Sequence, residues 1–126
     1  MSTQIKGSIV FVTGSNRGIG KALVEELVRS GARKVYAAAR KAEPLNDLVA
    51  SSKGKVVAVT LDITNEEQIH AAARIAQDTQ ILINNAGIVN YTAILAASDT
   101  RPARQEMEVN YFGVMNMTRS TRVPCL

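Results

Sequence analysis

Four short segments of the chain are almost wholly apolar, and longer stretches with helical spacing separate them. The apolar segments are residues 8–12, 34–39, 56–61 and 81–83. Continuous apolarity, in place of alternation, predicts strands covered on both faces, as in a parallel sheet. Between the first two, Ile19, Leu23, Val24, Leu27 and Val28 form one stripe at helical spacing, with Lys21, Glu25, Glu26 and Arg29 mainly off it. That spacing predicts a helix over 21–30, stopped by Gly31. A short helix is expected over 45–50, with Pro44 near its first turn. Thr64-Asn65-Glu66-Glu67 fits a capping box, in which the Thr64 hydroxyl and a Glu carboxylate satisfy free backbone N–H groups. The helix it opens should run to about Gln77. The last helix is expected to start near Pro102 and end before Pro124, carrying Met107, Tyr111, Val114 and Met117 towards the core.

The resulting order, β-α-β-α-β-α-β-α, contains no Pro/Gly-rich linker and no internal repeat. Right-handed crossovers make it an α/β fold: an open, doubly wound parallel sheet of about four strands between two helical layers. The 126 residues suit a single domain, 1–126. With 46% hydrophobic and 21% charged residues, the chain has the composition of a globular protein. No apolar run approaches the roughly 18 residues needed to cross a bilayer. Residues 1–6 lack the apolar core of a secretory signal, so a cytoplasmic address is expected. The net charge of +4 is scattered, without a Lys/Arg block or interleaved aromatics. It suits a small polyanionic ligand better than nucleic acid. Cys125, the only cysteine, has no activating neighbours and reads as an exposed thiol. His70, the only histidine, has no partner ligand on its helix and reads as partly solvated; no metal site is expected.

The chemistry concentrates where the first strand meets the first helix, at Thr13-Gly14-Ser15-Asn16-Arg17-Gly18-Ile19-Gly20. Gly14 permits the tight turn out of the strand. Gly18 removes a side chain where a pyrophosphate must approach the backbone, and Gly20 allows close packing of the helix. Free N–H groups at the helix N-terminus then face the phosphates. This is the logic of a dinucleotide-binding, Rossmann-type fold. The second strand ends Ala38-Ala39-Arg40-Lys41, with no carboxylate to hold an adenosine ribose. Arg40, helped by Arg17, could instead pair with a 2′-phosphate. NADP(H) is therefore expected in preference to NAD(H).

The spacing Thr13-Gly14-x-x-x-Gly18-Ile19-Gly20 resembles the cofactor loop of the short-chain dehydrogenases/reductases, and further motifs follow in order. Asp62, with Ile63 beside it, stands after the third strand, where the resemblance implies a contact to the adenine. Asn84-Asn85-Ala86-Gly87 is similar to the family's Asn-Asn-Ala-Gly motif; Asn84, Ala86 and Gly87 would mark the route to the nicotinamide. Asn110, on the following helix, matches the Asn of the family's catalytic tetrad. The resemblance covers essentially the whole chain. It implies an oxidoreductase that reduces a carbonyl or oxidises an alcohol, with cofactor contacts at Gly14, Ser15, Asn16, Arg17, Gly18, Ile19, Gly20, Arg40, Asp62, Ile63, Asn84, Ala86 and Gly87.

The family's Ser and Tyr-x-x-x-Lys have no counterpart here. Tyr36 is followed at the right distance by Arg40 but lies within the second strand, and Tyr91 and Tyr111 are followed by Leu95 and Met115. After Thr118 the chain departs from the family pattern, as a truncated or frameshifted product or a fragment would. Asn110 is then expected to satisfy local backbone or bind water. Such a chain should bind cofactor without turnover, or serve as a non-catalytic dinucleotide-binding or dimerisation module. The strand at 81–83 would be an exposed apolar edge, and the resemblance implies a dimer contact through the last helix, so self-association is expected.

Overall fold

A computed structural model describes residues 4–124; Cys125 lies outside them. The strands are β1 (Ile9–Val12), β2 (Lys34–Ala39), β3 (Val56–Thr60) and β4 (Ile81–Ile83), and the helices between them are α1 (Gly18–Arg29), α2 (Asn46–Ser51) and α3 (Glu66–Ile75). A 3-10 turn, Glu43–Leu45, leads into α2. Beyond β4 come α4 (Arg101–Met107), a π-helical segment (Glu108–Gly113) and α5 (Val114–Thr121).

All four strands are parallel, in the order β3-β2-β1-β4. The chain reverses its direction of winding at β1, which pairs with β2 on one side and β4 on the other. In an open α/β sheet this switch point leaves a crevice at the carboxyl ends of the two strands.

Strand geometry sends alternate residues to opposite faces, and here both faces are apolar. Val10, Val12, Val35 and Ala37 pack with Val24 and Leu27 of α1 and Leu48 of α2. Ile9, Phe11, Tyr36 and Ala38 pack with Ile69 and Ala72 of α3 and Met117 of α5. Phe11 is fully buried and stacks on Tyr36 at 6.0 Å; burial of such a ring contributes about 3 kcal/mol. Two-sided coverage holds for β1 and β2 but not for the outer strands. Ala58 and Thr60 of β3 are exposed, and all three residues of β4 are only half-buried.

Several local details differ from the sequence expectation. Asn65, not Thr64, caps α3, its Oδ1 accepting from the Gln68 N–H at 3.1 Å. Thr64 is drawn away because its N–H and hydroxyl both donate to Asp62 Oδ1, at 2.9 and 2.7 Å. The helix also stops at Ile75, short of Gln77. Ile19 is 75% exposed, since it lies in the first turn of α1, beyond the sheet. The last helix is not continuous. A π turn carries extra residues and resets the phase of an apolar stripe, so Met117 reaches the core while Met107 and Tyr111 point to solvent. Gly113 ends the π-helical segment, buried, and a Cβ there would lie 2.9 Å from Ile63 Cδ1 and Cγ1.

At the amino end of the sheet, Tyr36 closes a polar ring. Its hydroxyl donates to Asp78 Oδ1 at 2.6 Å, while Lys34 Nζ donates to Tyr36 Oη at 2.9 Å and to Asp78 Oδ2 at 2.6 Å. The Lys34 ammonium, then the Tyr36 hydroxyl, hold the Asp78 carboxyl below its ordinary value of 3.8. A carboxyl depressed on folding stabilises the fold above its unfolded value, and that gain is lost as pH falls through the folded one. Asp78→Ala should therefore lower the melting temperature by a few degrees at pH 7. The gap to the parent protein should close as the pH is taken below 4. Thermal unfolding of both proteins between pH 3 and pH 7 checks this; a gap independent of pH would refute it.

Candidate functional site

Two loops leave the sheet at the switch point, one after β1 and one after β4, and a compact set of hydrogen bonds joins them. The buried Thr13 Oγ1 accepts from the backbone N–H of Asn85 at 3.0 Å and of Ala86 at 2.9 Å. Asn85 Nδ2 donates back to the carbonyls of Thr13 and Gly14, at 3.2 and 3.1 Å. Neither Thr13 nor Asn85 was among the ligand contacts expected from sequence. A threonine directly after a buried strand, and the second Asn of an Asn-Asn pair, are the signals that could have found them.

This junction explains the glycines. Gly14 has φ +66°, and a Cβ there would lie 2.9 Å from Ala86 Cα. A Cβ on Gly20 would lie 1.9 Å from the Gly14 carbonyl oxygen and 2.5 Å from Asn85 Nδ2, so Gly20 lets α1 pack on the loop itself. Gly18 is different. It also has positive φ, +55°, but a Cβ there would meet nothing within 4 Å. The protein has no packing reason for that glycine. The open space before it is what a ligand's approach to the backbone requires.

The helix ends at this rim support the same division. The first turn of α3 is self-sufficient, with Asn65 capping it and Glu66 and Glu67 complementing the dipole. The first turn of α1 has neither: Arg17 stands at the N-cap with no side-chain cap bond, and no acidic residue follows. Its N–H groups remain available to an anion. Arg17, Gly18 and Ile19 are exposed around it and Asn16 is half-buried. Ser15 takes another part, being fully buried with its hydroxyl on the Val12 carbonyl at 2.8 Å and its N–H on the Ala38 carbonyl at 2.9 Å. Its polar groups are spent on the loop's shape.

Arg40 is exposed at the carboxyl end of β2. Asp62 follows β3, and its carboxyl is held below 3.8 chiefly by the Thr64 hydroxyl, against burial that pushes it up, with the Thr64 N–H and the Arg40 charge adding to the depression. The Asp62 N–H donates to Gln68 Oε1 at 2.8 Å. Ile63 is buried against Gly113. Beyond β4, Asn84 Nδ2 donates to Thr118 Oγ1 at 3.3 Å. Asn110, in the π turn, bonds both polar atoms of the Ile88 backbone: Oδ1 accepts from the N–H at 2.9 Å and Nδ2 donates to the carbonyl at 2.8 Å. Its side chain thereby fixes the strand exit at Gly87, where a Cβ would lie 3.3 Å from Asn110 Oδ1.

A concavity of about 540 Å³ lies elsewhere, between α3 and α5, lined by His70, Arg74 and Arg119 among others. Among the described residues no group of His, Cys, Asp and Glu could hold a metal, and no helix is long and apolar enough to cross a membrane.

Residues 8–123 match the family model for the short chain dehydrogenases. The chain belongs to that family. A short-chain dehydrogenase from Burkholderia cenocepacia, solved in complex with NADP, superposes with a TM-score of 0.88 at 50% identity, over 95% of this chain and 49% of the other. An NADPH-bound carbonyl reductase from chicken fatty liver matches with a TM-score of 0.82 at 27% identity, covering 93% of this chain and 50% of that one. The oxidoreductase BOA17 of Botryotinia fuckeliana is 35% identical over 117 residues, 89% of this chain and 42% of its own length. The short-chain dehydrogenase chain thus spans about half the length of its relatives or less. The open cradle at Gly18 and the uncapped α1 fit the dinucleotide cofactor that this family binds.

The two kinds of glycine can be told apart by substitution. Gly18→Ala should fold, at a cost of about 1 kcal/mol for positive φ, yet lose at least about tenfold in NADP⁺ affinity because its methyl fills the phosphate approach. Gly20→Ala should lose about 3 kcal/mol of stability by driving a methyl into the Gly14 carbonyl. Calorimetric titration with thermal unfolding separates the two; equal stability losses would contradict the assignment.

Proposed function

We propose that this short-chain dehydrogenase chain is the cofactor-holding half of an NADP(H)-dependent oxidoreductase that interconverts an alcohol and a carbonyl. The observation that carries the reading is the pairing of an uncapped α1 N-terminus with an exposed Arg40 at the end of β2. The first takes the pyrophosphate. The second, with the exposed Arg17 at the N-cap of α1, offers guanidinium groups to a 2′-phosphate where NAD-preferring sites present a carboxylate. The NADP and NADPH complexes of two relatives support this choice. When bound, the cofactor supplies the hydride. Asn110 holds the Gly87–Ile88 backbone in place beside the nicotinamide position. The 126 residues contain no Tyr-x-x-x-Lys pair to move a proton at the substrate oxygen, so the chain on its own binds the cofactor without turnover.

Titration should give NADP⁺ at least about tenfold tighter binding than NAD⁺, and adenosine 2′,5′-bisphosphate binding close to that of NADP⁺. Arg40→Asp should remove the preference by costing NADP⁺ about tenfold or more, as expected for losing a charge-assisted phosphate contact, while leaving NAD⁺ little changed. Equal binding of the two dinucleotides by the parent protein would refute the reading.

A second reading, a dimerisation module, is favoured by one feature of the last helix. Met107, Tyr111, Phe112 and Met115 are all exposed along it, with Tyr111 53% exposed and edge-on to Phe112 at 5.1 Å. Such a stripe suits a helix of a second copy. Sedimentation should show a dimer at micromolar concentration that Tyr111→Glu with Met115→Glu converts to monomer; a monomeric parent protein at high concentration would dismiss it.

A further inference from the structure

The concavity between α3 and α5 shares no residue with the loop after β1, with Arg40 or with Asp62. At about 540 Å³ it has the size of a small-molecule site. Ile69, buried in the core, and Ala73 form its apolar part. His70 and Arg74 line it from α3, Arg119 from α5, and Glu66 is the one carboxylate on it among the described residues. Glu66, His70 and Arg74 recur at helical spacing and share one face of α3. The rise of the helix sets Glu66 about 12 Å along the axis from Arg74, so the acidic and basic groups occupy opposite ends of that face. The basic end has no protein counter-charge: the ion pairs among the described residues are Arg29–Glu26, Lys34–Asp78 and Arg101–Asp99. Arg74 and Arg119 each stand in the last turn of their helix, where a cation complements the dipole. That role does not require both to open on one space. Here they do, together with Asn116, Gln77 and Ser120, whose side chains can all donate hydrogen bonds. Like charges around one space repel, and an oxyanion between them turns the repulsion into attraction.

We propose that this concavity is a second ligand site, which takes a phosphomonoester with its phosphate between Arg74 and Arg119 and its organic body over Ile69 and Ala73. Guanidinium groups match the oxygens of a phosphate in geometry as well as charge. The Glu66 end selects against a second phosphate and suits a neutral, hydroxyl-bearing body, because a carboxylate accepts hydrogen bonds and repels anions. A nucleic acid does not fit: it needs a basic stripe that tracks a backbone and aromatic rings on which bases stack, and no aromatic side chain lines this concavity. The inference rests on α3 and α5 and not on the cofactor preference, so it stands or falls independently of the dinucleotide titrations above.

The test is a titration of the isotope-labelled chain with phenyl phosphate, with inorganic phosphate and, at matched ionic strength, with sodium chloride, followed by amide chemical shifts. The expected result is saturable shifts over residues 69–77 and 116–122, which report this site apart from residues 14–20 at the cradle. Phenyl phosphate should bind there at least about fivefold more tightly than inorganic phosphate, because its ring covers the apolar part. Arg74→Gln with Arg119→Gln should cost phenyl phosphate at least about tenfold in affinity at this site and leave NADP⁺ affinity unchanged. A helix-dipole role alone would leave the phenyl phosphate affinity of the variant at the parent value. If the double variant does not fold, Arg119→Gln alone and the shift map of the parent protein decide. Three outcomes overturn the inference: shifts confined to residues 14–20, shifts over 69–77 and 116–122 that do not saturate or that sodium chloride reproduces, or a folded variant that keeps the parent affinity.

Discussion

The fold and the site both depend on one junction, the hydrogen bonds between Thr13 and the Asn85–Ala86 backbone. Thr13 Oγ1 accepts two N–H groups from the loop after β4, and Asn85 returns two bonds to the loop after β1. Loops at a switch point diverge from adjacent strands, and nothing in strand pairing alone holds them to each other. Here four polar contacts do so beside a buried strand, where an unpartnered donor or acceptor would cost about 1–3 kcal/mol. The glycines follow from that closeness. Once Asn85 and Ala86 lie against the β1 loop, neither Gly14 nor Gly20 has room for a Cβ.

A division of labour within one short motif results. Thr13, Gly14, Gly20 and Asn85 spend their polar groups, or their missing side chains, on each other, and Ser15 spends its own on the Val12 and Ala38 carbonyls. Arg17, Gly18 and Ile19 stand exposed, and the Arg17 side chain makes no cap bond. The chain keeps a rigid cradle and leaves its lining free, which is how a site remains preorganised without being filled by its own side chains. The contrast between α1 and α3 makes the same point at the level of helix ends. Both begin on the same rim, but α3 supplies its own cap and its own negative charge while α1 supplies neither.

Much of this was legible in the sequence, and the exceptions have physical causes. The four strands were read from apolar runs, and β2 and β4 fall where those runs placed them, because a run of that length has few other places to go. Burial was read less well. An apolar run says that a strand can be covered on both faces, not that it is, and β4 is half-covered because it ends the strand order and pairs with β1 alone among the described residues. Capping at Thr64 failed because two candidate caps compete, and Asp62 two residues earlier claims the Thr64 hydroxyl. The phase of the last helix failed because a π turn has no periodic signature; its visible cue was Gly113, opposite Ile63. Spacing could not show that Ser15 turns inward, with its hydroxyl on the Val12 carbonyl.

The cradle and the open flank have a common root in the order β3-β2-β1-β4. The loop after β1 and the uncapped start of α1 lie at the junction around Thr13, and β4, paired with β1, leads into the Asn85–Ala86 backbone that braces it. β4, at the end of this order, is also the strand whose residues Ile81, Leu82 and Ile83 are only half-buried. Asn110 marks the boundary. It stands on the last helix before that edge, and its side chain is fully engaged with Ile88, so it steadies the rim of the site without itself offering a proton. The central place of β1 in that order serves the junction on both sides: β4 braces the loop through Asn85 and Ala86, and the uncapped start of α1 lies beside it.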